Sequence, residues 1–144
     1  MKKNVMIMGT IIMILCNVSN VLAEENRSMR DVLMSVDKWY YVCEDSTTYL
    51  GEFYTESGIG VFVFNKGELI VSDRCVPYYL SNEADSTFDE SKVGKNKNGK
   101  YLIKRTLGTK IVYVYEVLKL DSDSLIMADT KERGRILKYV SKKL

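Results

Sequence analysis

Any catalysis would have to come from carboxylates, thiols and phenols, because the 144-residue chain contains no histidine. That absence removes the commonest general base, the Ser-His and Cys-His nucleophile pairs, and most catalytic zinc sites. Three close carboxylate pairs remain: Glu44-Asp45, Asp89-Glu90 and Asp121-Asp123. Adjacent residues on a strand point to opposite faces, and all three pairs fall at turns or loops, so none forms a facing acid–base couple. The stretch Asp121-Ser122-Asp123-Ser124 opens like a calcium loop but lacks the glycine and the downstream bidentate glutamate, and it reads as a hairpin turn. The expectation is a protein that is not an enzyme and carries neither cofactor nor metal.

The thiols point elsewhere. Lys2-Lys3, an apolar run from Val5 to Leu15 and Val21-Leu22-Ala23 before Glu24 have the form of a secretory signal peptide over residues 1–23. Retention of Asn4 to Ala23 as an anchor is disfavoured by Asn17, Ser19 and Asn20. Leu15 stands where a lipobox before Cys16 would need Gly, Ala or Ser. Cleavage would leave Cys43 and Cys75 in a periplasmic or secreted protein, where a disulfide between them is expected. Closing that loop would contribute about 3 to 4 kcal/mol by chain entropy. Neither cysteine has the CxxC spacing of a redox pair.

Beyond residue 23 the basic and acidic residues number 19 each, so the expected domain, residues 24–144, is formally neutral. A nucleic-acid partner would call for a basic surplus or stripe, and neither is present. Lys92, Lys95, Lys97 and Lys100 form a basic run, and the polar stretch Ser81 to Gly99 reads as a mobile loop across the mouth or edge of the sheet.

The elements that must position these residues are one helix and then strands. Ser28, with Asp31 three residues on, caps a helix through Val36, whose apolar side is Val32, Leu33 and Val36. From Lys38 onward, β-branched and aromatic runs are broken by turn residues every eight to twelve positions, the rhythm of an all-β barrel or sandwich. Strands are predicted at Trp39–Cys43, Tyr49–Thr55, Gly60–Phe64, Glu68–Ser72, Pro77–Leu80, Lys100–Arg105, Lys110–Leu118, Ser124–Ala128 and Ile136–Ser141. Asn65-Lys66-Gly67, Asn98-Gly99, Leu107-Gly108-Thr109, Asp121-Ser122-Asp123 and Glu132-Arg133-Gly134 supply the turns of an antiparallel meander.

The strand Lys110–Leu118 is apolar on both faces, with Ile111, Tyr113, Tyr115 and Val117 alternating with Val112, Val114 and Leu118. A half-exposed strand would be polar on one side. One face should therefore line an interior while Val112 and Val114 are shielded outside, a role predicted for the helix Ser28–Val36. Ten tyrosines against one tryptophan suggest walls with an apolar body and a polar tip.

A short helix, then Asp37-Lys38-Trp39, a run of meandering strands, the hairpin Leu118-Lys119-Leu120-Asp121-Ser122-Asp123-Ser124-Leu125 and a terminal Lys138-Tyr139-Val140 strand resemble the small bacterial lipocalin-like proteins of the calycin type. Asp37 occupies the position of the lipocalin signature glycine. The resemblance implies an eight-stranded up-and-down barrel with a short N-terminal helix, a small apolar or amphipathic ligand inside, and no catalysis. The expected wall residues are Phe62, Phe64, Tyr101, Tyr113 and Tyr115. Tyr41-Val42-Cys43-Glu44-Asp45 is also similar to the opening of periplasmic inhibitors of C-type lysozyme, although Ser57-Gly58 lacks their following tyrosine. The partners expected are thus a small hydrophobic ligand or, alternatively, an envelope protein such as a membrane sensor or a host-defence enzyme. Membrane contact is expected only through the leader if it is uncleaved.

Overall fold

Ser28 begins the ordered architecture by closing a reciprocal cap. The computed structural model describes residues 26–42, 48–72 and 74–142; the leader, Cys16, Cys43 and the Glu44-Asp45 pair lie outside the described residues. The Ser28 hydroxyl accepts from the Asp31 amide while the Asp31 carboxylate accepts from the Ser28 amide, which starts helix α1, Met29–Ser35. Such a box stabilises a short helix by about 1 kcal/mol. Too short to stand alone, α1 is held by packing: Leu33 is fully buried, and its carbonyl accepts from the Trp39 indole at 3.0 Å. Among the described residues no helix is long and apolar enough to cross a membrane.

Nine strands follow among the described residues: β1 (Trp39–Tyr41), β2 (Thr48–Tyr54), β3 (Gly58–Asn65), β4 (Glu68–Val71), β5 (Val76–Ser81), β6 (Tyr101–Arg105), β7 (Val112–Leu120), β8 (Ser124–Asp129) and β9 (Ile136–Val140). Every pairing is antiparallel. The order β1-β2-β3-β5-β6-β7-β8-β9 returns to β1 through Tyr40↔Val140 and Tyr41↔Tyr139, closing an eight-stranded barrel. β4 is the extra strand. It pairs with the upper half of β3, whose lower residues Gly58 and Ile59 pair with β5. The β3–β4 hairpin turns through Lys66 and Gly67, both at positive φ, the geometry that a two-residue turn between twisted strands requires.

Inward side chains fill the helix end of the lumen. Trp39, Ile59, Tyr78, Leu80, Leu102, Leu125, Met127 and Leu137 form one buried cluster with Leu33. A second cluster lies outside the wall: Tyr79, Ile103 and Val114, covered by Phe88 and Val93. The segment expected to be a mobile loop therefore folds back on the barrel's outer surface. Beyond its two apolar anchors, the Asn96 side-chain amide donates to Leu80 O at 2.9 Å, Lys92 pairs with Asp85 at 2.7 Å, and Glu90 pairs with Arg105 at 2.5 Å.

This cover also corrects the role predicted for the helix. Val112 and Val114 are shielded by the 82–99 segment, while α1 plugs the barrel end. The reason is that Leu33 finds a deeper seat on Trp39, and Arg30 ties the plug to that same segment. The Arg30 guanidinium donates to Gly94 O at 2.9 Å and to Asn96 O, and its amide donates to Lys97 O at 3.0 Å.

Cys75 is exposed and its thiol is free. It lies against Gly58, its Cβ 2.7 Å from where a Gly58 side chain would begin. Cys43, the partner expected for it, lies outside the described residues.

Candidate functional site

The feature that sets the lumen apart from an ordinary apolar core is a cross-barrel ion pair. Glu52 on β2 and Lys104 on β6 come from strands separated by β3 and β5 in the ring, and their charged groups meet inside it at 2.7 Å. Their side chains are only 8% and 16% exposed. Both residues fall in phase with inward apolar neighbours: Glu52 is level with Trp39 and Val61, and Lys104 is level with Tyr78 and Tyr113.

Phenols complete the cluster. The Tyr54 hydroxyl donates to Glu52 at 2.8 Å, and the buried Tyr139 phenol feels the charge of the same carboxylate. The Lys104 ammonium sits 5.4 Å from the centre of the Tyr115 ring, a cation–π distance. Tyr113 and Tyr115 lie parallel at 6.1 Å, and Tyr41 leans on Tyr139 at 5.3 Å. Burial, then the Glu52 charge, holds the Tyr54 and Tyr139 phenols well above the ordinary tyrosine value. Burial, then Asp129, does the same for Tyr115. Burial alone dominates at Tyr78, pushed up to about 12, whose hydroxyl donates to Thr55 O at 2.8 Å. These phenols are therefore neutral donors and aromatic surface, not bases.

Below the ion pair the lumen is closed by Trp39 and α1. Toward the rim, at the ends of β1, β3, β6 and the start of β7, inward side chains meet solvent: Tyr41, Val63 and Tyr113 are half-buried, and Leu50 is 45% exposed. The arrangement offers aromatic and aliphatic walls to an apolar body, and an ammonium, a carboxylate and phenol hydroxyls to a polar end.

Of the five residues expected to line the wall, the barrel turns two inward. Tyr113 and Tyr115 face the lumen beside Lys104. Phe62, Phe64 and Tyr101 lie on the outer face and are corrected accordingly. Phe62 lies flat over Gly51 and meets Tyr40 edge-on at 5.4 Å. Phe64 is level with Tyr49 and Leu69. Tyr101 packs on the outer cluster with Lys100 near its ring. Glu52, Lys104, Tyr41, Tyr54 and Tyr139 were not anticipated. The usable signal was a lone charge in phase with strand neighbours, as in Leu50-Glu52-Tyr54 and Leu102-Lys104.

Two grooves lie outside the barrel. One is lined by Asp37, Lys38, Phe53, Phe62, Leu69 and Val71. The other runs between α1 and the β7 bulge, where the register shifts between Val117 and Lys119 and leaves Leu118 exposed. Comparison of the chain with protein-family models, with curated proteins and with solved structures finds no match.

Proposed function

We propose that this chain is an exported, non-catalytic binding protein that holds a small apolar or amphipathic molecule at the rim end of its barrel. The observation that carries the reading is the stacked Tyr113–Tyr115 pair facing inward beside Lys104, above a lumen otherwise filled by side chains. An eight-stranded barrel is wide enough to be packed solid or to hold one small ligand. Here the helix end is packed, and the rim end carries polar and aromatic groups that a purely structural core would not need. The ligand's apolar body lies along Tyr41, Val63 and Tyr113, and its polar end reaches Lys104 or the Glu52 carboxylate. Export rests on the leader-like residues 1–23.

Native mass spectrometry of protein taken from its own envelope tests the reading directly, since it reports leader cleavage and bound ligand together. A fluorescent apolar probe should bind saturably. Tyr113→Ala should weaken that binding by about 1 to 2 kcal/mol, whereas Lys97→Ala on the outer segment should leave it unchanged. An empty protein with no saturable probe binding overturns the ligand reading and leaves the alternative, an envelope interaction module.

A further inference from the structure

β4 ends the strand order, paired with β3 alone, and all four of its residues are exposed, Ile70 by 60%. Its hydrogen-bonding phase follows from the hairpin. Ser72 N donates to Val61 O at 2.9 Å, so Glu68, Ile70 and Ser72 turn their amide groups toward β3. In an antiparallel ladder the alternate residues, Leu69 and Val71, turn theirs to the free edge. Their side chains lie on the outer face, level with Phe64 and Phe62, while Ile70 lies on the inner face, level with Val63 and Leu50. The edge therefore offers unpaired backbone donors and acceptors with apolar side chains on both faces. Soluble proteins ordinarily block such an edge with lysine, proline or an inward charge, and Leu69-Ile70-Val71 has none of these.

We propose that β4 is a self-association edge, pairing antiparallel with β4 of a second copy about a two-fold axis at Ile70. Three features select that partner and register. The axis at Ile70 sets Leu69 opposite Val71 of the second copy, so all the outward amide groups of both residues are satisfied. It sets Leu69 beside Val71 on the outer face and Ile70 beside its own counterpart on the inner face, apolar against apolar. It also sets Glu68 opposite Ser72 of the second copy, so that the two glutamates stay apart at the two ends of the ribbon. Moving the axis to Leu69 or Val71 would put Ile70 opposite Glu68 or Ser72. A four-residue ribbon buries less than the roughly 800 Å² per partner of a standard interface, so the dimer is weak and concentration-dependent.

Cross-linking tests the register. In a Cys43→Ser, Cys75→Ser background, Ile70→Cys should form a covalent dimer under mild oxidation about tenfold faster than Glu68→Cys, because a directly opposed, non-hydrogen-bonded pair has Cα atoms about 4.5 Å apart, within disulfide reach. Sedimentation of the unmodified chain should show a monomer–dimer equilibrium. Leu69→Pro, which deletes an edge donor and no β3 bond, should abolish it while the near-ultraviolet circular dichroism stays native. Ile70→Lys provides the same test should proline disturb the hairpin. A chain that stays monomeric at every concentration, with both cysteines cross-linking equally slowly, overturns the proposal. So does a dimer that survives both edge substitutions, or an Ile70→Cys that cross-links only to a different envelope protein.

Discussion

Replacing Lys104 by methionine would strand the Glu52 carboxylate, and the cost can be worked from the geometry. The carboxylate is 8% exposed and keeps one phenol donor, from Tyr54, but loses its only counter-ion within the cluster. Removing one partner of a buried pair costs about 3 to 5 kcal/mol, because the remaining charge stays desolvated. The Tyr54 bond offsets part of this, which puts Lys104→Met at roughly 3 kcal/mol. Glu52→Gln should cost less, about 1 to 2 kcal/mol: the amide oxygen still accepts from Tyr54, and the Lys104 stem is long enough to turn its ammonium toward the nearby rim. The double variant should recover much of the single-site loss, since no unpaired charge remains. Urea unfolding followed by far-ultraviolet circular dichroism gives all four values, with an unchanged m-value certifying that only the native state was altered. In a domain of this size Lys104→Met should also lower Tm by roughly 10 °C. A Lys104→Met cost below about 1 kcal/mol, or equal costs for the two single variants, would refute the buried, one-sided pair, since solvent-exposed ion pairs behave in that way.

Stability should fall steeply in alkali. Each raised phenol, Tyr54, Tyr78, Tyr115 and Tyr139, holds its proton more tightly folded than unfolded, so stability is complete below the ordinary tyrosine value of 10.0 and is lost as pH rises through it toward the folded values. Tm measured against pH, with tyrosinate absorbance appearing only as the protein unfolds, checks this. Gly51→Ala should destabilise more than Gly60→Ala, because its new Cβ would lie 2.3 Å from the fixed Trp39 carbonyl oxygen, whereas at Gly60 it meets the half-buried Phe53 ring, which can rotate away. Chemical denaturation of the two variants decides the order. Cys75 should alkylate in the native, unreduced protein, and Cys75→Ser should change stability by no more than about 0.5 kcal/mol; protection from alkylation until reductant is added would restore the disulfide.

All nine strands and the capped helix were legible because their signals are local: Ser28 with Asp31 for the cap, and turn residues between β-branched runs for the strands. Phase was legible only where something polar breaks the symmetry. β3 is apolar from Ile59 through Phe64, so alternation could not say that Val61 and Val63 face in while Phe62 and Phe64 face out. In β6 the inward Lys104 and outward Ile103 invert the usual rule, which made Tyr101 look like wall. Glycine was the missed clue for Phe62, since a ring can lie flat on the outer face only over a position without a Cβ, and Gly51 is that position. The docking of the 82–99 segment rests on Phe88 and Val93, two apolar residues in a polar stretch, too sparse to be read as an anchor before the wall they meet is known. Glu52 and Lys104 are 52 positions apart, and no local pattern joins them.

The pairing of β1 with β9 sets the order in which this protein can be built. Tyr40 and Tyr41 find their partners in Val140 and Tyr139, at the other end of the chain, so the ring has no closed intermediate. As the chain emerges from its N-terminus, β1 and β8 both present raw edges until the last strand arrives, and the seat for α1 is incomplete until Leu137 and Tyr139 join the cluster around Trp39. Contacts of such long sequence separation make folding slow. A chain cut short before Ile136 would keep both edges open and be prone to aggregate. Late closure means that the strand that locks the barrel is the last of its strands to be made.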